Sequence, residues 1–127
     1  MASNLNDILV ADFQTTVDSS IDRNRNILDI ISKFETAASR FSRAMIKAST
    51  QCGCITVNGA KGQHESYGIE GQLCESCADI IQQEMGDVLF YLAAACSATG
   101  LNLYDVLLKE SNALNILGVN PYWQGTA

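Results

Sequence analysis

The sequence of 127 residues is long enough for one domain with a single hydrophobic core, and its 47% hydrophobic and 17% charged residues are typical of a globular protein. The net charge of −6 argues against nucleic acid polymers and anionic membranes as main partners, since both attract a basic surface. The sequence has no apolar run of transmembrane length and does not begin with a basic region followed by an apolar one. We therefore expect a cytoplasmic protein with no membrane partner.

Four segments carry the apolar periodicity of helices, and we predict one all-α domain over residues 1–127, a helical bundle of four helices. The first helix covers about residues 4–18, with Ser3 as its cap. The third covers about residues 72–99, and the fourth begins after Asn102, which is a suitable N-cap. The second helix, of about 25 residues, has the clearest apolar stripe, and this stripe consists of Ile27, Ile31, Phe34, Ala38, Phe41, Met45 and Ala48.

Between the second and third helices, residues 51–71 lack helical periodicity and predict a long irregular loop that bears cysteines. Within it, Ile55–Val57 is rich in β-branched residues and is followed by Asn58, which indicates a short strand and a turn. A structureless loop of this length is unusual in a compact domain. We therefore expect the cysteines to fix it in place.

The cysteines of this region form two close pairs, Cys52 with Cys54 and Cys74 with Cys77. Zinc prefers four thiolates at the corners of a tetrahedron, and two close pairs joined by a flexible segment can provide them. The second pair also lies at a predicted helix start, where free N–H groups favour thiolate. The spacing therefore predicts a possible structural zinc site, in which His64 could replace one cysteine.

Two other interpretations of the cysteines remain open. Cys74 and Cys77 have the spacing of a redox-active pair, although no βαβ pattern surrounds them. Alternatively, all four are inert buried thiols. The fifth cysteine, Cys96, lies in an alanine-rich stretch and is predicted to be a small core residue.

The third helix places two acids, Glu84 and Asp87, one turn apart on its inner face. Unpaired carboxylates there would cost several kcal/mol, so we expect a compensating cation. One interpretation is Mg²⁺ or Mn²⁺, which prefer oxygen ligands. The other, equally favoured by spacing alone, is an ion pair with a base of the second helix: Arg40, Arg43 or Lys47.

The stretch EMGDVLFYL, which begins at Glu84, is followed by Thr99-Gly100-Leu101-Asn102-Leu103, and together they resemble the second half of a MazG-like domain. The resemblance covers about residues 72–117 well and the second helix loosely. It implies an all-α nucleotide pyrophosphohydrolase that is a dimer or a dimer of dimers. Such enzymes use carboxylate-bound Mg²⁺ to cleave a nucleoside triphosphate to the monophosphate and pyrophosphate.

Carried over by residue, the resemblance makes Glu84 and Asp87 the second acidic pair of the catalytic metal site. The first pair would include Glu35, but its second member is replaced here by Ala38. The resemblance also assigns Lys109 and Asn112, in the last helix, to nucleotide binding, although a solvated surface lysine is the somewhat favoured interpretation of Lys109.

Three functional interpretations follow: a pyrophosphohydrolase that uses Glu35, Glu84 and Asp87, a non-catalytic binding module with a structural zinc site, or a structural protein that oligomerises. The enzyme is slightly favoured, because a purely structural helix would rarely accept the cost of the inward acid pair. Ala38 discriminates between the first two, because a missing acid weakens catalysis and leaves the fold intact. The long apolar stripes exceed what one chain can cover, so we also predict a homodimer or higher homo-oligomer through the second and third helices.

Overall fold

The structure is a computed structural model that describes residues 2–21, 26–58 and 67–117. Four α-helices account for most of these residues, so the predicted all-α class with four helices is confirmed. The segment predicted as an irregular loop contains a one-turn π-helix and a two-stranded hairpin. The helices are α1 (Ala2–Ser20), α2 (Ile27–Lys47), α3 (Glu75–Thr99) and α4 (Leu103–Leu117); the π-helix is Ala48–Cys52, and the strands are β1 (Ile55–Val57) and β2 (Ile69–Gly71).

The chain divides into two compact units. Unit 1 combines Met1–Ile27 with Ala93–Ala127, and unit 2 is the single segment Leu28–Leu92. Unit 2 contains both cysteine pairs, the hairpin and the acidic pair of α3. The single domain over residues 1–127 stays a prediction.

In unit 1, one glutamine joins α1 to the turn between α3 and α4. The side-chain amide of Gln14 donates to the Ser97 hydroxyl at 3.3 Å and to the Leu101 carbonyl at 2.9 Å. The side-chain oxygen of Gln14 accepts the Leu103 N–H at 2.8 Å. Leu103 is the first residue of α4, so its N–H has no partner within the helix. Asn102 caps the same helix, as predicted, because its Oδ1 accepts the Asp105 N–H at 3.2 Å. The cap predicted at Ser3 is wrong, since α1 begins at Ala2.

In unit 2, the long helix α2 ends one residue before the predicted end of its stripe, and Ala48 begins the π-helix. The buried row of α2 is Ile30 and Ala37, at i and i+7, whereas Ile31 of the predicted stripe is 45% exposed. The buried face of α2 is therefore rotated by about one residue position from the predicted face. A broad apolar stripe does not define the buried face more closely than this.

The core of unit 2 lies under the hairpin. Ala48, Ile55 and Ile81 are buried together, and they join the π-helix, β1 and α3. The strands are antiparallel, with Ile55 opposite Gly71 and Val57 opposite Ile69. β1 was predicted, and β2 was not. Side chains from all neighbouring elements pack around this core: Phe41, Ala44, Met45, Cys54, Ile69 and Cys77.

Candidate metal centre and acidic pair

Both cysteine pairs meet at one point of unit 2. The sulfur atoms of Cys52, Cys54, Cys74 and Cys77 all lie within 4.8 Å of one another, and none of these cysteines is in a disulfide. The Cys52 and Cys74 sulfurs are 3.8 Å apart. A tetrahedral zinc with bonds of about 2.3 Å needs sulfur atoms roughly 3.8 Å apart. The predicted grouping of the four cysteines is therefore confirmed, and their spacing is suitable for a metal ion such as zinc.

The first pair is positioned by the end of α2. The helix continues into the π-turn, and Gly53 closes this turn by donating its N–H to the Ala48 carbonyl at 2.9 Å. Gly53 has a φ of +81°, a left-handed conformation that glycine adopts without steric cost. Cys52 is the last residue of the π-helix and Cys54 follows Gly53, and Cys54 packs against the hydrophobic core.

The second pair is positioned by the start of α3. Cys74 immediately precedes the helix, and its sulfur accepts the backbone N–H of Cys77 at 3.4 Å. A sulfur acceptor therefore takes the place of the oxygen that usually caps a helix. The hairpin between the pairs returns the chain from the end of α2 to the start of α3, which brings the two pairs together.

Hydrogen bonds inside the cluster separate the acidities of the second pair. The N–H of Cys77, together with its thiol, lowers the pKa of Cys74 to about 7. The hydrogen bond between the two side chains has the opposite effect on the donor and raises the pKa of Cys77 to about 12, with burial acting in the same direction. Thiolate is the form that binds metal, so Cys74 is the sulfur best prepared to bind first.

Gly71 brings β2 unusually close to the first cysteine pair. Its φ is +90°, and a Cβ atom at this position would lie 2.7 Å from the Cys54 carbonyl oxygen. Only glycine fits this approach without a backbone shift. Sequence reasoning missed this constraint, because a glycine at the end of a loop looks the same whether or not another strand lies against it.

A cavity of about 220 Å³ lies beside the cysteine cluster, and sequence reasoning did not identify it. Its floor is apolar, whereas Lys47 and Gln51 add a cation and an amide. Cys52 and Cys77 form part of the wall. The complete lining is Ala44, Lys47, Ala48, Gln51, Cys52, Cys77 and Ile80.

The acidic pair of α3 contacts an arginine of α2. The Nε atom of Arg40 lies 3.2 Å from Oε2 of Glu84, and its Nη2 atom lies 3.5 Å from Oδ2 of Asp87. The Glu84 side chain is 22% exposed and that of Asp87 is 49% exposed. The ion pair that was one of the two interpretations is therefore present, and the burial cost falls mainly on Glu84.

Glu35 is not part of this arrangement among the described residues. It is exposed on α2, five positions before Arg40 and thus roughly 140° around the helix from it. Ala38, which stands where the resemblance expects a second acid, is half-buried. The structure thus brings together two of the three predicted metal-binding acids with an arginine, and leaves Glu35 on another face.

The two predicted nucleotide-binding residues lie in unit 1. Lys109 and Asn112 are both exposed on α4 and line one shallow depression of about 320 Å³. Asn102 and Asp105, from the start of the same helix, line it as well. The predicted core cysteine Cys96 is buried, as expected, and this burial raises the pKa of its thiol. His64 lies outside the described residues.

No protein-family model matches the sequence, and neither a curated protein nor a solved structure shows significant similarity to it. The MazG-like resemblance therefore stays a prediction that depends on the residues named above. Within the described residues, no helix combines the length and the apolar character that crossing a bilayer requires.

Proposed function

We propose that this chain is a zinc-binding helical protein in which Cys52, Cys54, Cys74 and Cys77 hold one structural Zn²⁺. The observation that carries the proposal is the convergence of four sulfur atoms within 4.8 Å of one another. Cysteines that serve only as core residues have no need to direct all four sulfurs to one point, and a metal explains this arrangement directly.

The metal would stabilise a part of the fold that has a small core. Among the described residues, the cluster beneath the hairpin has three buried members, Ala48, Ile55 and Ile81. Zinc would join the end of α2 to the start of α3 and enclose the hairpin between its ligands. Since the unfolded chain has no preformed site, the free energy of metal binding would add to the stability of unit 2.

Metal analysis of the purified protein tests this proposal. We expect one zinc per chain, and we expect Co²⁺ to replace it with the intense charge-transfer absorption of cobalt–thiolate bonds. Cys77→Ser should lose the metal, and Cys96→Ser is the matched control because Cys96 is a buried cysteine of unit 1 and is not one of the four grouped cysteines. A protein that binds neither metal with its four thiols reduced would contradict the proposal.

For the helical body, we propose a non-catalytic binding or interaction module. Arg40 neutralises the acids of α3, and Ala38 removes the acid that the resemblance expects on α2. The ion pairs engage one oxygen of each acid, and Ala38 supplies none, so the site offers a metal fewer oxygen ligands than two complete acidic pairs would. We place the module in the cytoplasm, where a reducing environment keeps thiols available as zinc ligands.

A second candidate function is a metal-dependent nucleoside triphosphate pyrophosphohydrolase. One observation favours it: Glu84 and Asp87 approach a single guanidinium, so their oxygens converge on a place that accepts a cation. In this function, Mg²⁺ or Mn²⁺ would bind Glu84 and Asp87, with Glu35 as a third acid. Lys109 and Asn112 would contact the nucleotide, and the products would be a monophosphate and pyrophosphate.

Pyrophosphate release from a panel of ribo- and deoxyribonucleoside triphosphates separates the two functions. A catalytic protein would release pyrophosphate only with Mg²⁺ or Mn²⁺, and Glu84→Gln would abolish the release. Glu75→Gln is the matched control, since Glu75 is an exposed acid on the same helix. No release from any triphosphate by the folded, zinc-loaded protein would leave the non-catalytic module.

We also propose that the chain forms a homodimer or a higher homo-oligomer through α2 and α3. Met85, Leu89 and Leu92 follow one another at helical spacing along α3 and are 48%, 51% and 38% exposed. An apolar stripe of this kind is typical of a protein interface. Light scattering should give at least twice the mass of one chain, and Leu89→Glu should reduce it. A monomeric wild-type protein at micromolar concentration would refute this proposal.

A further inference from the structure

The four cysteines of the proposed zinc site differ in how they are held. Cys54 directs its thiol to the Ala48 carbonyl at 3.7 Å, and Cys74 accepts the Cys77 N–H. Both also lie half-buried, as does Cys77. Cys52 is exposed, and its sulfur lies 3.8 Å from the sulfur of Cys74.

These differences predict different reactivities. Exposure favours Cys52, because a reagent reaches its sulfur more easily than the half-buried sulfurs of Cys54, Cys74 and Cys77.

The cavity beside the cluster gives a reagent a place next to this sulfur. Cys52 and Cys77 belong to its lining, and Ala44, Ala48 and Ile80 make much of that lining apolar. Lys47 lies in the same lining and supplies a positive charge. A cation beside the reacting atoms stabilises a negatively charged leaving group.

We propose that Cys52 is an oxidation site at which a hydroperoxide converts the zinc-bound cluster into a Cys52–Cys74 disulfide and releases Zn²⁺. This inference rests on the proposed zinc site. It assigns the cluster a second role as a sensor of peroxide, and it identifies the cavity as the entry point for the oxidant.

The reaction takes place in two steps. The Cys52 thiolate attacks the O–O bond of the hydroperoxide, a sulfur–oxygen bond forms, and the leaving alkoxide or hydroxide takes a proton from solvent. The Cys74 thiolate then attacks the Cys52 sulfur, and hydroxide leaves and is protonated in the same way. Two thiolates thus lose two electrons in total, and an alkyl hydroperoxide is reduced to one alcohol and one water, or hydrogen peroxide to two waters.

Cys74 is the resolving cysteine because its sulfur lies 3.8 Å from that of Cys52. The sulfur–sulfur bond of a disulfide is about 2.05 Å long, so the two sulfur atoms must move closer together by about 1.8 Å. The zinc would then keep only Cys54 and Cys77 as ligands. Two thiolates bind zinc far more weakly than four, so the ion leaves.

The experiment measures zinc content first and then treats the loaded protein with hydrogen peroxide. We expect one zinc released per chain, with a Cys52–Cys74 bridge found by peptide mapping. In the loaded protein before oxidation, iodoacetamide should alkylate Cys52 at least about tenfold faster than Cys54, Cys74 or Cys77. A Cys74–Cys77 bridge, uniform alkylation, or zinc retained under peroxide would overturn the inference.

A variant that keeps all four ligands provides an independent test. Lys47→Gln should leave zinc content unchanged and slow the peroxide-driven release several-fold, whereas Lys109→Gln, an exposed lysine of unit 1, should not. Equal release rates for the two variants would refute the role of the cavity. If the protein binds no zinc, the proposed zinc function fails, but the mapped bridge still decides whether peroxide oxidises the Cys52–Cys74 pair.

Discussion

Replacing Gly71 by alanine should damage the zinc site without changing any cysteine. The new methyl group would lie 2.7 Å from the Cys54 carbonyl oxygen, a backbone atom that cannot rotate away. The φ of +90° adds strain, because L-residues avoid positive φ at a cost of about 1–2 kcal/mol. Relieving the overlap by shifting the backbone costs about 1–3 kcal/mol more. We therefore expect Gly71→Ala to lower the free energy of unfolding by about 3 kcal/mol.

Gly53→Ala is the matched control for this prediction. Gly53 has a similar φ of +81°, but a Cβ there would meet no atom within 4 Å. It should therefore show the backbone strain alone, about 1 kcal/mol. The difference between the two variants isolates the contact between β2 and Cys54.

Urea denaturation of the metal-loaded proteins measures both free energies, and a competition with a coloured zinc chelator measures metal affinity. Gly71→Ala should bind zinc more weakly than Gly53→Ala, because relief of the overlap moves the backbone of Cys54. Equal unfolding free energies for the two variants would refute the close approach of the strands, and with it the argument that the hairpin positions the first cysteine pair.

Three further substitutions test other parts of the structure. Gly86 lies within α3, and a Cβ atom there would meet nothing within 4 Å. Gly86→Ala should therefore raise the free energy of unfolding by about 0.5–1 kcal/mol, and an unchanged urea midpoint would contradict this. Arg40→Met removes the partner of Glu84 and should lower the free energy of unfolding by about 1 kcal/mol. A double-mutant cycle with Glu84→Gln should show coupling between the two residues, and additive effects would mean that the ion pair contributes nothing to stability. Asn102→Ala removes the cap of α4 and should cost about 1 kcal/mol by thermal denaturation, whereas Asn102→Asp should retain most of the stability.

The elements that local sequence determines were predictable. α2 was predicted closely because its apolar spacing continues without glycine or proline from Ile27 to the π-turn. β1 was predicted from its β-branched residues. β2 was not, because Ile69–Gly71 has only one residue that favours strands and depends on its pairing with β1.

The candidate sites show the same division. The spacing of the cysteines predicted that two pairs can meet, because metal ligands in close pairs carry a local pattern. The partner of Glu84 was not predictable, since periodicity reveals that an acid faces inward but not whether a metal or a base neutralises it. Arg40 was one of three equal candidates, and only the relative rotation of α2 and α3 within unit 2 selects it.

The order of the two units along the chain has a consequence for synthesis. Unit 2 is one segment that ends at Leu92, whereas unit 1 needs both ends of the chain. The four clustered cysteines, the hairpin and the arginine that contacts the acidic pair are therefore all synthesised before α4, and they leave the ribosome ahead of it. The contacts of unit 2 are the more local ones, and local contacts form early. The nascent chain can thus bind its metal before the Leu101 carbonyl and the Leu103 N–H are available to Gln14.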